Sequence, residues 1–214
     1  MTKGRECLIA YMQTIKRTYL YRRLRHEYSI HDLRKQMGST RPLNVVIGAG
    51  GTALEGWFST DSNILDITSP RDWRKLFKPE SIDRLLSEHV LEHLSEPECK
   101  MALTQCYRYL KPYGLLRIAV PDGYRKDADY VAEVSPPKDG HQVLFTVDTL
   151  VPLLESVGFR ATPLEYFDAQ ETFHFFQWDE ADGYIERSLR FDTQEEFKRD
   201  NLFYTSLIVD AKKV

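Results

Sequence analysis

Short apolar runs bounded by turn residues recur along the chain, and stretches with helical spacing lie between them. The runs that predict strands, because they favour β-branched and large apolar residues, are 43–47, 57–61, 63–67, 81–87 and 115–122. The stretch 96–110 carries apolar residues at helical spacing and predicts a helix after the fourth strand. Strands that alternate with helices in this way predict an α/β protein with a parallel, doubly wound sheet.

The composition fits one globular domain with a modest extension. The chain has 214 residues, of which 42% are hydrophobic, so it can bury a substantial core. Its 29 Lys and Arg residues nearly balance 32 Asp and Glu residues, and this balance argues against a nucleic-acid partner. No apolar run approaches the roughly 18 residues that a transmembrane helix needs. No secretory signal is recognisable and three scattered cysteines form no CxxC motif, so the protein is expected to be cytoplasmic.

Residues 1–41 differ in charge from the rest of the chain. They hold ten Lys and Arg residues against three acidic residues, and their apolar residues at helical spacing predict an amphipathic helix. We therefore expect a basic helical extension over 1–41 and one main domain over 42–214. The basic helix is most simply a solvated cationic face. Contact with phosphate, with an anionic membrane surface or with a second copy of the chain is also open.

Candidate chemistry begins where the first strand ends, at the GAGG segment 48–51. Glycine allows bare backbone to approach a ligand at the carboxyl edge of a parallel sheet. Asp61 ends the second strand, 13 residues after Gly48, where a carboxylate can accept hydrogen bonds from both hydroxyls of a ribose. Dinucleotide folds space these features by about 20 residues. The shorter spacing truncates the first helix and favours a nucleoside ligand without phosphates.

Several segments resemble class I S-adenosylmethionine-dependent methyltransferases. They are the glycine segment with Asp61, the stretch SEHVLEHL at 87–94, and LKPYGLLRIAVPD at 110–122. The closest group has a shortened first crossover and is often associated with surface-polysaccharide and natural-product pathways. The resemblance, which covers roughly residues 43–192, implies S-adenosylmethionine as the cofactor and a Rossmann-like, mostly parallel sheet of seven strands. A helix over 147–157 and two further runs, 160–167 and 203–211, would complete it with an antiparallel C-terminal edge.

The resemblance also implies roles for individual residues. Those that would contact the cofactor are Gly48, Ala49, Gly50, Asp61, Asp66, Ser87 and Glu88. Asp61 would bind the ribose, and Asp66 matches the acid beside the adenine amino group. A carboxylate at Glu88, where the family more often has a small residue, leaves open how the methionine end of the cofactor is held.

Two histidines are candidates for the general base that a hydroxyl acceptor benefits from, because histidine suits that role near neutral pH. His141 follows a Pro/Gly loop beyond the fifth strand, where the acceptor would sit and where the family often has a histidine. A capping or packing role for His141 is equally open. His89, near the end of the fourth strand, is the second candidate. No metal site is expected, since the histidines and cysteines lack ligand spacing and Glu92-His93 alone is too little.

An aromatic and charged insert over 173–202 is expected on the substrate side. Its candidate acceptor-binding residues are His174, Trp178, Arg187 and Arg190. Aromatic rings stack on sugars and arginine binds anionic groups, which fits a glycan-like or anionic acceptor. The competing interpretation is that the insert packs over the sheet and pairs its arginines with nearby acids.

The predicted activity is therefore biosynthetic transfer of a methyl group from S-adenosylmethionine to a small-molecule or glycan-like acceptor, at a hydroxyl oxygen. One alternative is a nicotinamide-dependent oxidoreductase, which the short glycine-to-Asp61 spacing disfavours. The other is a noncatalytic methyltransferase-like partner or regulatory subunit. The retained glycines, Asp61 and Asp66 argue against it.

Overall fold

The described part of the chain is built on one seven-stranded sheet. The computed structural model describes residues 42–193 and 205–214, together with Lys35 and Gly38. The strands are β1 Asn44–Ile47, β2 Trp57–Ser59, β3 Ile82–Glu88, β4 Leu110–Val120, β5 Phe159–Phe167, β6 Phe173–Phe175 and β7 Leu207–Lys213. They lie in the order β2-β1-β3-β4-β7-β5-β6. The predicted basic helix over 1–41 lies outside the described residues, apart from those two single positions.

The sheet has a parallel half and an antiparallel half. Strands β2, β1, β3 and β4 are parallel neighbours, so their carboxyl ends meet at one edge. Strand β7 runs antiparallel to both β4 and β5, and β6 pairs antiparallel with β5. The predicted Rossmann-like, mostly parallel sheet with an antiparallel C-terminal edge is confirmed.

The α-helices of the described residues are α1 Pro70–Leu76, α2 Glu96–Tyr109, α3 Ala128–Val134, α4 Val147–Val157 and α5 Leu189–Asp192. Helix α2 follows the predicted stretch closely, and its first turn is fixed by Glu98, which accepts from both the backbone N–H and the hydroxyl of Ser95. These bonds hold the pKa of Glu98 below its ordinary value. Helix α4 has the predicted bounds and ends at Gly158, whose φ of 112° favours glycine. Helical spacing and stop signals were sufficient for both.

The predicted strand at 63–67 is wrong. The backbone turns instead, with the N–H of Leu65 donating to the carbonyl of Asp61. The Oδ1 atom of Asp66 accepts from the backbone N–H and the hydroxyl of Thr68, at 2.9 and 2.7 Å. Such local bonds from an aspartate compete with a strand ladder. Because Leu65 is nevertheless buried, the apolar pattern here reports burial without strand pairing.

The sequence analysis missed strand β6. Strand β6 lies inside the predicted insert 173–202 and pairs with β5 over residues 165–167. The strand count was therefore right although one member was wrong. Strand β4 also begins earlier than predicted, because residues 111–114 continue the strand instead of forming a separate turn, with Tyr113 at a φ of 65°.

The connection between β1 and β2 contains less secondary structure than expected. Residues 48–56 form loop and turns with no helix, where a single helical turn was predicted. The glycine segment therefore passes almost directly into the second strand. Among the residues that the structure describes, no helix has the length and apolar character needed to cross a membrane.

Candidate active site

A cavity of 810 Å³ opens at the carboxyl ends of the parallel strands. Its volume lies in the range of about 300–1,000 Å³ that is typical of small-molecule sites, and ligands of open α/β sheets bind at this edge. The predicted site residues that line it are Gly48, Ala49, Gly50, Glu88, His89, His141 and Arg187. Those that do not line it are Asp61, Asp66, Ser87, His174, Trp178 and Arg190.

The lining of this cavity is acidic. Arg187 is the only arginine or lysine among the lining residues, which include five acidic residues: Glu88, Glu92, Glu133, Asp139 and Glu186. Such a lining favours a cationic ligand and disfavours a pyrophosphate. The sign of the charge therefore adds to the spacing argument against a dinucleotide.

The glycine segment forms part of the cavity wall in a conformation that requires glycine. Gly48 has a φ of 63° and Gly50 a φ of 55°, both in the left-handed region. A Cβ at Gly48 would clash with Cγ2 of Val90, so a side chain at this position requires Val90 to move. At Gly50 a Cβ would meet no atom within 4 Å. The first glycine thus allows the loop to pack, and the second leaves backbone open to a ligand.

Asp61 lies against the glycine segment although it does not line the cavity. Its Oδ1 accepts from the backbone N–H of Gly50 at 2.9 Å. That bond fixes the carboxylate at the end of β2, beside the backbone that a nucleoside would approach. Asp66 is exposed, and one of its oxygens is engaged by Thr68 in the turn described above.

The carboxylate of Glu88 is engaged with backbone, although the residue lines the cavity. Its Oε1 accepts from the N–H of Arg187 at 2.8 Å, and its Oε2 from the N–H of Glu186 at 3.2 Å. Glu88 therefore fastens the segment around 186–187 to the end of β3. Ser87 is buried within β3 and is not exposed to the cavity.

His141 is buried and holds a defined tautomer. Its Nδ1 lies 2.7 Å from the carbonyl oxygen of Val134, which can only accept, so Nδ1 carries the proton and Nε2 the lone pair. The ring of His93 meets that of His141 edge to face, with centroids 4.8 Å apart. Both rings line the cavity.

His89 is held more tightly than a free base would be. Its Nε2 lies 2.9 Å from the hydroxyl oxygen of Ser206, and its Nδ1 lies 3.2 Å from Oε1 of Glu92. Its backbone, at a φ of 53°, is in the left-handed region, and its N–H donates to the carbonyl of Ala119. His89 therefore links the end of β3 to Ala119 on β4, to Ser206 just before β7 and to Glu92 in the following turn.

The structure places Trp178 against the core, half-buried and away from the cavity. Its indole N–H donates to Oε1 of Glu165 at 2.8 Å, and its ring packs against the buried cluster between sheet and insert. Glu165 is fully buried and also accepts from the N–H of Leu189 at 2.7 Å; burial raises the pKa of this carboxyl. The packing interpretation is the one that the geometry supports for this tryptophan.

His174 and Arg190 are also engaged outside the cavity. The Nε2 of His174 lies 2.7 Å from Oδ2 of Asp168, and this bond is the main cause that lowers the pKa of the aspartate. Arg190 forms an ion pair with Glu180. Of the four predicted acceptor-binding residues, only Arg187 reaches the cavity.

Arg117, which the sequence analysis missed, holds the insert on the sheet. Its side chain is 1% exposed and binds the carboxylate of Asp210 in a bidentate way, at 2.7 and 2.9 Å. Its Nη1 donates to the carbonyls of Asp179 and Gly183, both at 2.7 Å. A lone arginine in the apolar run LLRIAV was the available signal, since a buried charge requires partners.

Asp122 connects the end of β4 to β5. It is fully buried and accepts from the backbone N–H of Phe167 at 2.7 Å and of Tyr124 at 3.0 Å. Burial raises the pKa of Asp122 to about 6, against the opposing effect of these bonds.

Both cysteines of the described region are free and buried. Burial raises the pKa of Cys99 and of Cys106 to about 12, so neither thiol is a nucleophile at neutral pH. Their burial fits a packing role.

The family comparison concerns the segment that frames the cavity. Residues 68–118, from the start of α1 through most of β4, match a family model described as a methyltransferase domain. They include β3, whose carboxyl end carries Glu88 and leads into the turn that contains His89 and His93, called here the histidine turn. The match is consistent with a class I S-adenosylmethionine-dependent methyltransferase. The predicted enzyme class and its cofactor, S-adenosylmethionine, are confirmed.

Solved structures of methyltransferases are similar to this one at low sequence identity. An S-adenosylmethionine-dependent methyltransferase from Archaeoglobus fulgidus is 16% identical over 88% of this chain and 94% of its own, with a TM-score of 0.48. One from Thermotoga maritima is 16% identical over 95% and 96%, with a TM-score of 0.48. A Haemonchus contortus phosphoethanolamine N-methyltransferase, solved with S-adenosyl-L-methionine, is 16% identical over 63% and 38%, with a TM-score of 0.37. No curated protein sequence matches the chain.

The residues around the cavity fit the cofactor of this methyltransferase. The backbone at Gly50 is open to approach, and Asp61 is fixed beside it. The acidic lining suits the positive charge of a sulfonium.

Proposed function

We propose that this methyltransferase acts on a hydroxyl oxygen of a small-molecule or glycan-like acceptor, in a biosynthetic pathway of the cytoplasm. One observation carries the proposal: a single cavity is lined both by the glycine segment of the cofactor side and by His141, whose Nδ1 is bound to Val134. The free, buried cysteines fit the reducing conditions of that compartment.

The cofactor side of the site is assigned to the glycine segment and Asp61. S-adenosylmethionine, when bound, supplies a methyl group on a positively charged sulfur. Gly48 and Gly50 line the cavity on its side, Gly50 offers bare backbone to it, and the oxygen of Asp61 that does not bind Gly50 accepts from a ribose hydroxyl. Asp66 has a smaller share, since one of its oxygens is used by Thr68. Glu88 acts through the segment at 186–187 that it holds.

The acceptor side is assigned to His141. The bond to Val134 holds its ring so that Nε2 can take the proton of an acceptor hydroxyl as the methyl group is transferred. His89 ranks second because both of its ring nitrogens already have neighbours within 3.2 Å. Arg187 lines the same cavity and is the residue of the insert that we assign to an anionic group of the acceptor.

The alternatives are less well supported. A nicotinamide cofactor would place a pyrophosphate against an acidic lining, after a glycine segment that no helix follows. The methyltransferase-domain match supports an enzyme, and no observation favours a noncatalytic subunit over it. Contact of the basic extension 1–41 with a membrane surface or a second copy of the chain stays a prediction.

The first experiment tests the cofactor residues. Asp61→Ala removes an acceptor whose charge-assisted hydrogen bonds are worth about 1.5–3 kcal/mol each, so affinity for S-adenosylhomocysteine should fall at least about tenfold. Calorimetric titration with S-adenosylmethionine, S-adenosylhomocysteine and NAD measures it, and wild type should bind the first two only. Asp66→Ala is the matched control and should cost less. Equal affinity of a folded Asp61→Ala protein and the wild type would remove the ribose assignment.

The second experiment tests the base. His141→Ala should lower turnover by about 10² to 10⁴, while binding of S-adenosylhomocysteine changes little because the residue faces the acceptor. Methyl transfer to a panel of hydroxyl-bearing sugars and small molecules is the readout. Near-normal turnover of the variant would move the role to His89 or show that alignment alone is sufficient.

A further inference from the structure

The most unusual buried group of the cavity is the carboxylate of Glu92. The residue is 1% exposed, and within the described part of the chain neither of its carboxylate oxygens has a hydrogen-bond partner. The Nδ1 atom of His89 approaches Oε1 to 3.2 Å without hydrogen-bond geometry. Burying an unsatisfied carboxylate is costly unless a cation compensates it. Glu92 therefore points to a positively charged ligand.

Two histidines, distant in sequence from one another, lie beside this carboxylate. His93 follows it directly, and His141 is brought to it by hydrogen bonds between the two loops. The backbone N–H groups of Gln142 and Val143 both donate to the carbonyl of Glu92, at 2.7 and 3.2 Å. The side-chain amide of Gln142 donates to the carbonyl of His93 at 2.7 Å. One carboxylate oxygen and one ring nitrogen from each histidine lie within 4.8 Å of one another.

The orientation of His141 is the one that a metal ligand needs. Histidine ligands typically donate their second ring N–H to a carbonyl or carboxylate, which fixes the tautomer and makes the free nitrogen more basic. Val134 provides that carbonyl for Nδ1 of His141, so the other ring nitrogen, Nε2, keeps its lone pair for a metal ion.

We propose that Glu92, His93 and His141 bind a divalent transition-metal ion of the zinc class. Two imidazoles and one carboxylate form a donor set that Zn²⁺ binds at about 2.0–2.2 Å, usually with a further position open to substrate. Two donors that each lie about 2.1 Å from a tetrahedral ion are about 3.4 Å from one another, so side-chain rotations need to shorten the present separation of up to 4.8 Å to that value. The excess of carboxylates in the lining supports a cation at this position.

The role of the ion rests on the hydroxyl acceptor of the proposed function, and in the metal-bound state the ion replaces His141 as the group that activates this hydroxyl. An acceptor hydroxyl at the open position releases its proton to solvent more readily, because the ion stabilises the alkoxide. The alkoxide oxygen then forms a bond to the methyl carbon as the carbon–sulfur bond breaks, and the sulfur leaves as a neutral thioether. In this state Nε2 of His141 is a ligand of the ion and does not take the proton.

The test measures Zn²⁺ binding to the full-length protein, independently of methyl transfer. After treatment with a chelator, calorimetric titration with Zn²⁺ should give one saturable site per chain. Glu92→Gln and His141→Gln should each weaken the affinity at least about tenfold. Glu96→Gln, which removes an exposed neighbouring carboxylate, and His174→Gln, which removes a histidine outside the cavity, should leave it unchanged.

A second readout uses stability. Without zinc, Glu92→Gln should be at least as stable as wild type, because an amide buries no charge, and added Zn²⁺ should stabilise wild type only. Absence of a saturable site, wild-type affinity of Glu92→Gln, or lower stability of that variant without zinc would each overturn the proposal. If zinc binds but no hydroxyl acceptor is methylated, the metal site stands and the proposed acceptor fails.

Discussion

Arg117 and Glu92 are both buried charged residues, and they differ completely in how they are compensated. Arg117, on strand β4 where the parallel half meets the antiparallel half, binds one carboxylate and two carbonyls and has the ring of Trp178 beside it. Glu92, on the parallel side, accepts no hydrogen bond from the described residues. A buried charge with a full set of partners is typical of a structural group, whereas one without them indicates a position prepared for a ligand.

The same contrast extends to the two halves of the sheet. On the antiparallel side, Glu165 and Asp192 accept from backbone N–H groups and fasten the insert and the start of β7. On the parallel side, the glycine segment leaves backbone open and the histidine turn borders a cavity. The polar groups of the antiparallel side therefore stabilise the fold, whereas those of the parallel side border the candidate active site.

The largest effect is expected at Arg117. Arg117→Ala leaves the carboxylate of Asp210 and two carbonyls without their partner, and breaking a buried pair in this way costs about 3–5 kcal/mol. Urea unfolding measures it. Arg84→Ala is the matched control, since its pair with Asp182 is about one-third exposed and should contribute at most about 1 kcal/mol. Equal costs for the two variants would remove the distinction between the halves.

A somewhat smaller effect is expected from the titration of Asp122. Its pKa is about 6 in the folded protein and near 3.8 when unfolded, so the folded state binds more protons between these values. The free energy of unfolding should therefore fall as pH rises from about 4 to 6, by up to about 3 kcal/mol, and then stop changing on account of this group. Asp122→Asn should flatten this part of the profile. An unchanged slope would assign it to other groups.

An effect of similar size concerns the glycine segment on the parallel side. In Gly48→Ala the new methyl group meets Val90, which costs about 1–3 kcal/mol in addition to about 1 kcal/mol of left-handed strain. Val90→Ala in the same protein should restore the steric part. Gly56→Ala is the control, because Gly56 has a φ of 79° but open space around its Cβ position. Thermal unfolding and S-adenosylhomocysteine affinity are measured for each variant. If the double variant is no more stable than Gly48→Ala alone, the clash with Val90 is contradicted.

Much of the fold could be predicted, because local pattern and packing agree in most elements. Helix α4 and the short strand β1 follow from apolar spacing and from glycine at their ends. The pattern failed at 63–67, where Asp66 bonds to Thr68 and turns the chain. It also missed β6, since three residues paired to a neighbouring strand have too little periodicity of their own.

The sequence by itself determined the class of the protein: glycines after a strand, an acid after the next strand, and the segments shared with methyltransferases. Local composition encodes these features, because backbone conformation depends on near neighbours. Only the tertiary structure decided which polar groups meet. It packed Trp178 against Glu165, satisfied Arg117 with partners from two separate segments, and brought His141 to Glu92 and His93. Such meetings depend on how distant loops pack against each other, and no local spacing records that.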